Sequence, residues 1–201
     1  MARLLPIIIL LIAGYLGNGW ADTWEGIQEK AGEIKSVKAE FIQEKHLKIL
    51  AKPLISKGIF YYQAPQSLRW EYSFPLKSIL LMHNGHIKRF IKGSEGLRQD
   101  SGPKLQAMQV VLQEITLWLS GRFIDNPNFN AVLEPSLKIV LTPKEKSFAT
   151  IIQRIELVLS KQPGVIETVR IYEDDSSYTK LIFKNTSLNK PLKESLFQEV
   201  Q

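Results

Sequence analysis

The sequence predicts a mainly β (α+β) domain in which ten or eleven short antiparallel strands form a large sheet that curls into an open barrel or sandwich. Three observations predict this fold. Segments with alternating apolar and polar residues, the period of a half-buried strand, recur at regular spacing. Turn-forming Asn, Asp, Gly and Pro residues separate them. Helical periodicity is confined to two or three segments.

The composition is that of one globular domain. The chain has 201 residues, a net charge of +6 and 44% hydrophobic residues. It contains no cysteine, which excludes disulfides, thiolate metal sites and a lipid-modified N-terminal cysteine. The basic residues are spread along the chain, which argues against nucleic-acid binding. They would attract anionic lipid headgroups or an acidic partner, or would only improve solubility.

Residues 1–21 are predicted to be a cleaved signal peptide. Arg3 precedes the apolar run Leu4–Leu16, which is long enough for a signal peptide and shorter than the roughly 20 residues that span a bilayer. Small residues supply a cleavage site before Asp22. An uncleaved membrane anchor is the alternative. We expect residues 22–201 to form a single exported domain.

The first half of the chain predicts a helix followed by strands. Asp22 or Thr23 is a favourable N-cap for a short helix that ends near Gly32 or Ile34. From Val37 onwards apolar and polar residues alternate. The predicted strands cover residues 37 to about 50, 56–63, 68–73, 78–83 and 86–91.

Asn84-Gly85 lies between the last two of these strands and predicts a two-residue hairpin, because a type I′ turn needs positive φ at both central residues. The polar, glycine-containing segment Lys92–Pro103 is predicted to be a loop. A long helix is predicted over Lys104–Phe123, with Gly121 as its C-terminal stop.

The second half predicts further strands over residues 137–142, 155–159, 165–172 and 178–184. Residues 125–130 form a cluster of turn-forming residues, and 147–152 are ambiguous between a helical turn and a strand. The tail from Leu188 is expected to add a last edge strand.

The long helix has an apolar face that must cover something. Its members recur at helical spacing, and they are Leu105, Met108, Leu112, Ile115 and Leu119. Ordinary packing on the sheet is one interpretation. The other is a movable lid over an apolar cavity, with Gly93, Gly96 and Gly102 giving the preceding loop its freedom.

No catalytic motif appears in the sequence. His83 and His86 flank a hairpin turn, but two ligands do not complete a zinc site. Glu173-Asp174-Asp175 lacks the spacing of a calcium loop and is interpreted as a solvated turn. We expect no metal, no cofactor and no catalysis, with a hydrolase of unrecognised motif as the alternative.

The order and spacing of several short motifs resemble the LolA family of periplasmic lipoprotein carriers over essentially the whole of residues 22–201. In the first half these motifs are Phe41-x-Gln43, Gly58-x-Phe60, Pro65-x-x-Leu68-x-Trp70, Pro75, Ile79–Met82 and Asn84-Gly85. In the second half they are Leu141-Thr142-Pro143, Ile155-x-Leu157, Val169–Tyr172 and Thr179–Asn185. The pattern Pro53-Leu54-x-Ser56-x-Gly58 and the long helix look more like a divergent branch of that family.

The resemblance implies an unclosed antiparallel β-barrel of about eleven strands, capped by two or three helices. It implies a monomeric carrier that shields the acyl chains of a lipoprotein during transfer between the inner and outer membranes. An inner-membrane ABC-type complex would supply this cargo, and an outer-membrane receptor lipoprotein would accept it. Absence of cysteine fits the soluble carrier rather than the receptor.

By position, the resemblance places Leu68 and Trp70 on the strand that faces the cavity, and their alternation agrees with this. The full set of predicted cavity residues adds Phe41, Phe60 and Leu81 on the strands and Met108, Leu112, Ile115 and Leu119 on the helix. The family's lid is tied by an arginine that precedes the motif proline, where this chain has Ala64. Arg69 is therefore the candidate for the lid latch, with another polar contact, or a lid that is not latched in this way, as the alternatives. The same fold would also suit a carrier of a glycolipid or lipid-linked pigment, or a module that senses lipoproteins.

Overall fold

The computed structural model describes residues 23–100 and 104–200, with side chains described from Leu112 onwards in the long helix. The predicted signal peptide and Gly102 lie outside the described residues, as do the side chains of Leu105 and Met108.

Eleven strands form a single antiparallel sheet, which confirms the predicted fold class. The strands are β1 (Ser36–His46), β2 (Leu54–Gln63), β3 (Ser67–Phe74), β4 (Ser78–His83), β5 (His86–Gly93), β6 (Gly96–Asp100), β7 (Phe129–Glu134), β8 (Lys138–Pro143), β9 (Arg154–Leu159), β10 (Ile166–Tyr172) and β11 (Tyr178–Leu188). Their order in the sheet is β6-β5-β4-β3-β2-β1-β11-β10-β9-β8-β7. The edge strands β6 and β7 are not paired with each other, so the barrel is unclosed among the described residues.

The described residues contain four helices, where two or three were predicted. They are α1 (Trp24–Gly32), α2 (Lys104–Leu119), α3 (Lys146–Ala149) and α4 (Ser195–Gln198). Thr23 caps α1 as predicted, since its Oγ1 accepts a 3.1 Å hydrogen bond from the backbone N–H of Gly26. In the part of the chain that the structure describes, no helix has the length and apolar character required to cross a membrane.

The turns that join the strands follow the local sequence. Asn84 and Gly85 both have positive φ, 49° and 79°, which confirms the predicted hairpin turn. Asn185 also has positive φ, at 51°, where β11 carries one more residue than β1 opposite it. This bulge changes the alternation along β11, so Phe183 and Thr186 both face the same cavity.

Three predicted segments differ in the structure. The predicted loop Lys92–Pro103 contains β6, an edge strand whose polar residues face water, and Arg89 of β5 holds Asp100 with a 3.0 Å ion pair. The turn cluster 125–130 leads directly into β7, which was not predicted. The tail forms α4 instead of an edge strand, because Phe197 is 2% exposed and anchors a helical turn on the sheet.

The helix α1 packs against one end of the barrel at two glycines with positive φ. A Cβ on Gly121 would lie 2.7 Å from Cα of Gln28, and one on Gly164 would lie 2.9 Å from the backbone N of Ala31. The turn after α2 and the β9–β10 turn therefore both approach the backbone of α1 closely. Helix α1 covers this end of the sheet.

Candidate functional site

An apolar cavity of about 220 Å³ lies between the concave face of the sheet and α2. Strands from both halves of the sheet and the helix contribute its walls. The main lining residues are Phe60, Trp70, Tyr72, Leu80, Val169, Ile171, Leu181 and Phe183 from the strands, and Leu112, Ile115, Trp118 and Leu119 from α2. Among the described lining residues none is charged and none is a histidine.

Aromatic rings form the floor of the cavity. Phe60 and Trp70 have ring centroids 5.3 Å apart in an edge-to-face arrangement, and Phe183 completes the group at 5.9 Å from Phe60. The three residues come from β2, β3 and β11, whose alternation turns them to the same face. The floor is therefore apolar and consists of packed rings.

The helix α2 supplies the opposite wall. Leu112, Ile115 and Leu119 repeat at intervals of three and four residues and all line the cavity. This spacing places them on one face of the helix. In the structure this apolar face lines a cavity, and the movement of the lid stays a prediction.

Polar groups in the cavity are few. Gln43 and Tyr72 lie beside each other, and the Tyr72 hydroxyl donates a 2.9 Å hydrogen bond to Oε1 of Gln43. Burial raises the pKa of Tyr72 to about 12, although the nearby Arg89 acts in the opposite direction. The phenol is therefore neutral at physiological pH and offers no nucleophile.

The structure brings five of the nine predicted cavity residues together in the lining, and these are Phe60, Trp70, Leu112, Ile115 and Leu119. Phe41 and Leu68 are fully buried on the same face of the sheet, beside the lining residues. The centroid of the Phe41 ring lies 5.2 Å from that of Trp70, so Phe41 packs against the lining. The side chain of Met108 lies outside the described residues.

The structure places Leu81 and Arg69 elsewhere. Both face the other side of the sheet, because successive residues of a strand alternate and their neighbours Leu80 and Trp70 face the cavity. Leu81 lines a separate depression with Phe197 of α4.

The hydrogen bonds of Arg69 therefore go to the C-terminal segment instead of the lid. Its Nη1 donates to the carbonyl oxygens of Leu196 and Glu199 at 3.0 and 2.8 Å, and its Nε donates to Glu71. Arg69 is 7% exposed. It fixes α4 on the outer face of the sheet.

The contact that fixes α2 involves a residue that sequence reasoning missed. Glu114 is 3% exposed and does not line the cavity. Its two carboxylate oxygens accept hydrogen bonds from the side-chain amides of Asn126 and Asn128, at 2.6 and 2.7 Å. We call these three residues the α2 anchor. The only sequence signal was Asn126-x-Asn128 within the turn cluster that follows the helix.

Comparison with known proteins identifies a matching family and several similar solved structures. The family model described as "Outer membrane lipoprotein carrier protein LolA" matches residues 32–199. No curated protein matches the sequence. Similar solved structures include a DUF1329 family protein from Desulfovibrio piger, with 11% identity, a TM-score of 0.49 and coverage of 85% of this chain and 92% of that one.

A putative outer membrane lipoprotein-sorting protein domain from Vibrio parahaemolyticus is similar at 10% identity and a TM-score of 0.45, covering 87% and 94% of the two chains. A LolA superfamily protein from Nitrosomonas europaea has 10% identity and a TM-score of 0.42, covering 89% and 99%. The family match spans most of the sequence and agrees with the open eleven-stranded sheet. The chain therefore belongs to the LolA family of outer membrane lipoprotein carrier proteins.

Proposed function

We propose that this protein is a periplasmic carrier that shields the acyl chains of a lipoprotein, or of a related lipid, as they cross between the two membranes. The observation that carries the proposal is the cavity beneath α2, whose described lining has no charged side chain. Such a lining binds hydrocarbon without directional bonds. Membership of the LolA family supports the same conclusion.

The physics of acyl chains makes such a carrier necessary. Each CH₂ group exposed to water costs about 0.8 kcal/mol, so a lipoprotein with several acyl chains does not cross an aqueous compartment unaided. The rings of Phe60, Trp70 and Phe183 offer a large apolar surface to such a chain.

The size of the cavity implies that α2 moves when cargo binds. Its 220 Å³ is below the roughly 300–1,000 Å³ of ordinary small-molecule sites. A full acyl chain therefore requires α2 to move away from the sheet. In the empty protein Leu112, Ile115 and Leu119 bury the same floor, so the returning helix would compete with the cargo and favour its release.

Trp118 supports an ester-containing cargo. Its indole Nε1–H is buried without a hydrogen-bond partner among the described residues, although the residue lines the cavity. An ester carbonyl that enters as α2 moves would supply the missing acceptor.

The remaining parts of the proposal concern export and partners. Residues 1–21 would direct export, and residues 22–201 would act as a monomer. An inner-membrane ABC-type complex would supply the cargo, and an outer-membrane receptor lipoprotein would accept it. A glycolipid or lipid-linked pigment would use the same cavity, and a lipoprotein-sensing module would bind the same acyl chains without delivering them.

The test compares two substitutions on neighbouring residues of α2. Leu112→Glu places a charge in the cavity, whereas Gln113→Glu places the same charge on an exposed position of the same helix. The protein is purified without detergent, and bound lipids are identified by native mass spectrometry and extraction. Binding of a triacylated lipopeptide is then titrated.

We expect the parent and Gln113→Glu to retain lipid and to bind the lipopeptide, and Leu112→Glu to lose both while remaining folded. A co-purified lipoprotein or glycolipid identifies the cargo class. A parent that carries no lipid and takes up no acylated ligand contradicts the proposal.

A further inference from the structure

Six of the eight large apolar side chains that are exposed among the described residues lie at one end of the barrel. They belong to three segments, with Ile49, Leu50 and Leu54 around the β1–β2 loop, Phe74 and Leu76 around the β3–β4 loop, and Ile151 before β9. Ile49 is 87% exposed, which makes it the most exposed of them. We call these six residues the apolar rim.

The strand pairing places these segments together. In an antiparallel sheet the C-terminal end of β1, the N-terminal end of β2 and the C-terminal end of β3 lie at the same end of the strands. Lys57 is paired with Phe74 at this end. Tyr178, at the start of β11, pairs with His46 at the same end of the strands. Ile151 lies at the same end, because the backbone N–H of Gln153, two residues later, donates a hydrogen bond to the carbonyl oxygen of Tyr172 at the end of β10.

The apolar rim is flanked by positive charge. Residues 45–57 contain four lysines and no acidic residue. Lys48, Lys52 and Lys57 are exposed; the first two flank Ile49 and Leu50 in the β1–β2 loop, and Lys57 lies near the start of β2. The β10–β11 turn at the same end carries three acidic residues, of which Glu173 forms an ion pair with Lys45, Asp174 lies within the influence of Lys48 and Asp175 is exposed.

This end of the barrel lies opposite α1. Helix α1 covers the end formed by the β9–β10 turn, where Gly164 meets its backbone. The cavity extends towards the apolar rim as far as Gln43, Tyr72 and Thr179. Helix α1 covers the opposite end of the barrel, so the rim is the end of the cavity that α1 leaves uncovered.

We propose that the apolar rim and its lysines form a docking surface for a membrane rich in anionic phospholipids. Apolar side chains from separate short loops reach the acyl boundary of a bilayer, and lysines beside them contact phosphate groups. A lipid surface satisfies both features, because it offers negative charge and a hydrocarbon layer at once. The proposal adds a membrane contact to the carrier function and does not depend on the identity of the cargo.

The experiment measures binding to vesicles by flotation. The parent protein is mixed with phosphatidylglycerol-containing vesicles and with pure phosphatidylcholine vesicles. The rim variants are Ile49→Ser with Leu50→Ser, and Lys48→Gln with Lys52→Gln. The matched controls are Val132→Ser, exposed on the edge strand β7, and Lys161→Gln with Lys190→Gln, exposed near the α1 end.

We expect the parent and controls to float with phosphatidylglycerol vesicles, and each rim variant to lose at least about tenfold in vesicle affinity. Binding to phosphatidylcholine should be weak. Lipopeptide binding in solution should stay at the parental level in every variant, so failed docking is distinguishable from failed cargo binding. A parent that ignores anionic vesicles, or rim variants that bind them like the parent, overturns the proposal and leaves a protein partner for this end.

Discussion

The side-chain amide of Asn126 donates a 2.6 Å hydrogen bond to the buried carboxylate of Glu114, which joins α2 to the loop before β7. Asn126 is itself held in place, because its Oδ1 accepts hydrogen bonds from the backbone N–H groups of Asn128 and Phe129. The Nζ of Lys144 also donates to the backbone carbonyl oxygen of Asn126. The helix that covers the cavity is therefore held by an oriented polar cluster.

Replacing Glu114 by Gln should loosen α2. A glutamine has one acceptor oxygen where the carboxylate presents two, so one of the two asparagine amides loses its partner. We expect a loss of about 1–3 kcal/mol in the free energy of unfolding. Backbone amides of α2 should exchange hydrogen faster, and the lipopeptide should bind at a higher rate. Glu145→Gln, at an exposed position, is the control. Unchanged exchange in α2 would show that the anchor does not restrain the helix.

Replacing Arg69 by Gln should release the C-terminal segment and spare the cavity. The carbonyl oxygens of Leu196 and Glu199 lose charged donors, and each such hydrogen bond contributes about 1.5–3 kcal/mol. We expect faster proteolysis after residue 190 with lipopeptide affinity unchanged. The exposed Arg98→Gln is the control. Faster uptake of lipopeptide without exposure of the C-terminus would instead identify Arg69 as a latch for α2.

Tyr72 should make the protein sensitive to alkaline pH. Its pKa in the folded state is about 12, above the ordinary value of 10, so the unfolded chain releases this proton first. Its contribution is complete below about pH 10 and is lost as the pH rises towards 12. The contribution of this half-buried ring to the free energy of unfolding is about 1–2 kcal/mol.

Urea unfolding across this range should therefore show a steeper loss of stability in the parent than in Tyr72→Phe. Equal slopes for the two proteins would mean that the phenol titrates in the fold as it does in the unfolded chain.

Gly58 should not tolerate even a methyl group. A Cβ at this position would lie 2.8 Å from two ring atoms of Phe41 and would clash with the backbone carbonyl of Glu71. We expect Gly58→Ala to destabilise the fold by about 3 kcal/mol or more. Gly32→Ala is the control, because nothing lies within 4 Å of the added Cβ. Thermal unfolding separates the two, and similar melting temperatures would show that β3 and Phe41 shift at little cost.

The alternation of apolar and polar residues predicted most of the strands, because a strand with one buried face needs an apolar residue at every second position. It did not predict β6, whose side chains are only partly buried or exposed, so that apolar residues are not required at every second position. It did not predict α4, a single turn held by Phe197 and by the distant Arg69. These elements depend on tertiary contacts.

In the candidate site too, some residues follow from local sequence patterns and others depend on tertiary contacts. Phe60 and Trp70 reach the cavity through simple strand parity, and Leu112, Ile115 and Leu119 through helical spacing. The same parity places Arg69 on the other face, since it lies between Leu68 and Trp70. Glu114 could not be recognised, because a lone glutamate in a helix normally faces water and only the fold brings Asn126 to it.

The most direct test of the central claim is quenching of tryptophan fluorescence by an acyl chain brominated near its end. Trp70 and Trp118 line the cavity, whereas Trp24 packs against Phe123 outside it. We expect the brominated chain to quench variants that retain only Trp70 or only Trp118, and to leave a variant that retains only Trp24 unquenched. Equal quenching of all three, or quenching of Trp24 alone, would place the acyl chain outside the cavity and contradict the proposed carrier function.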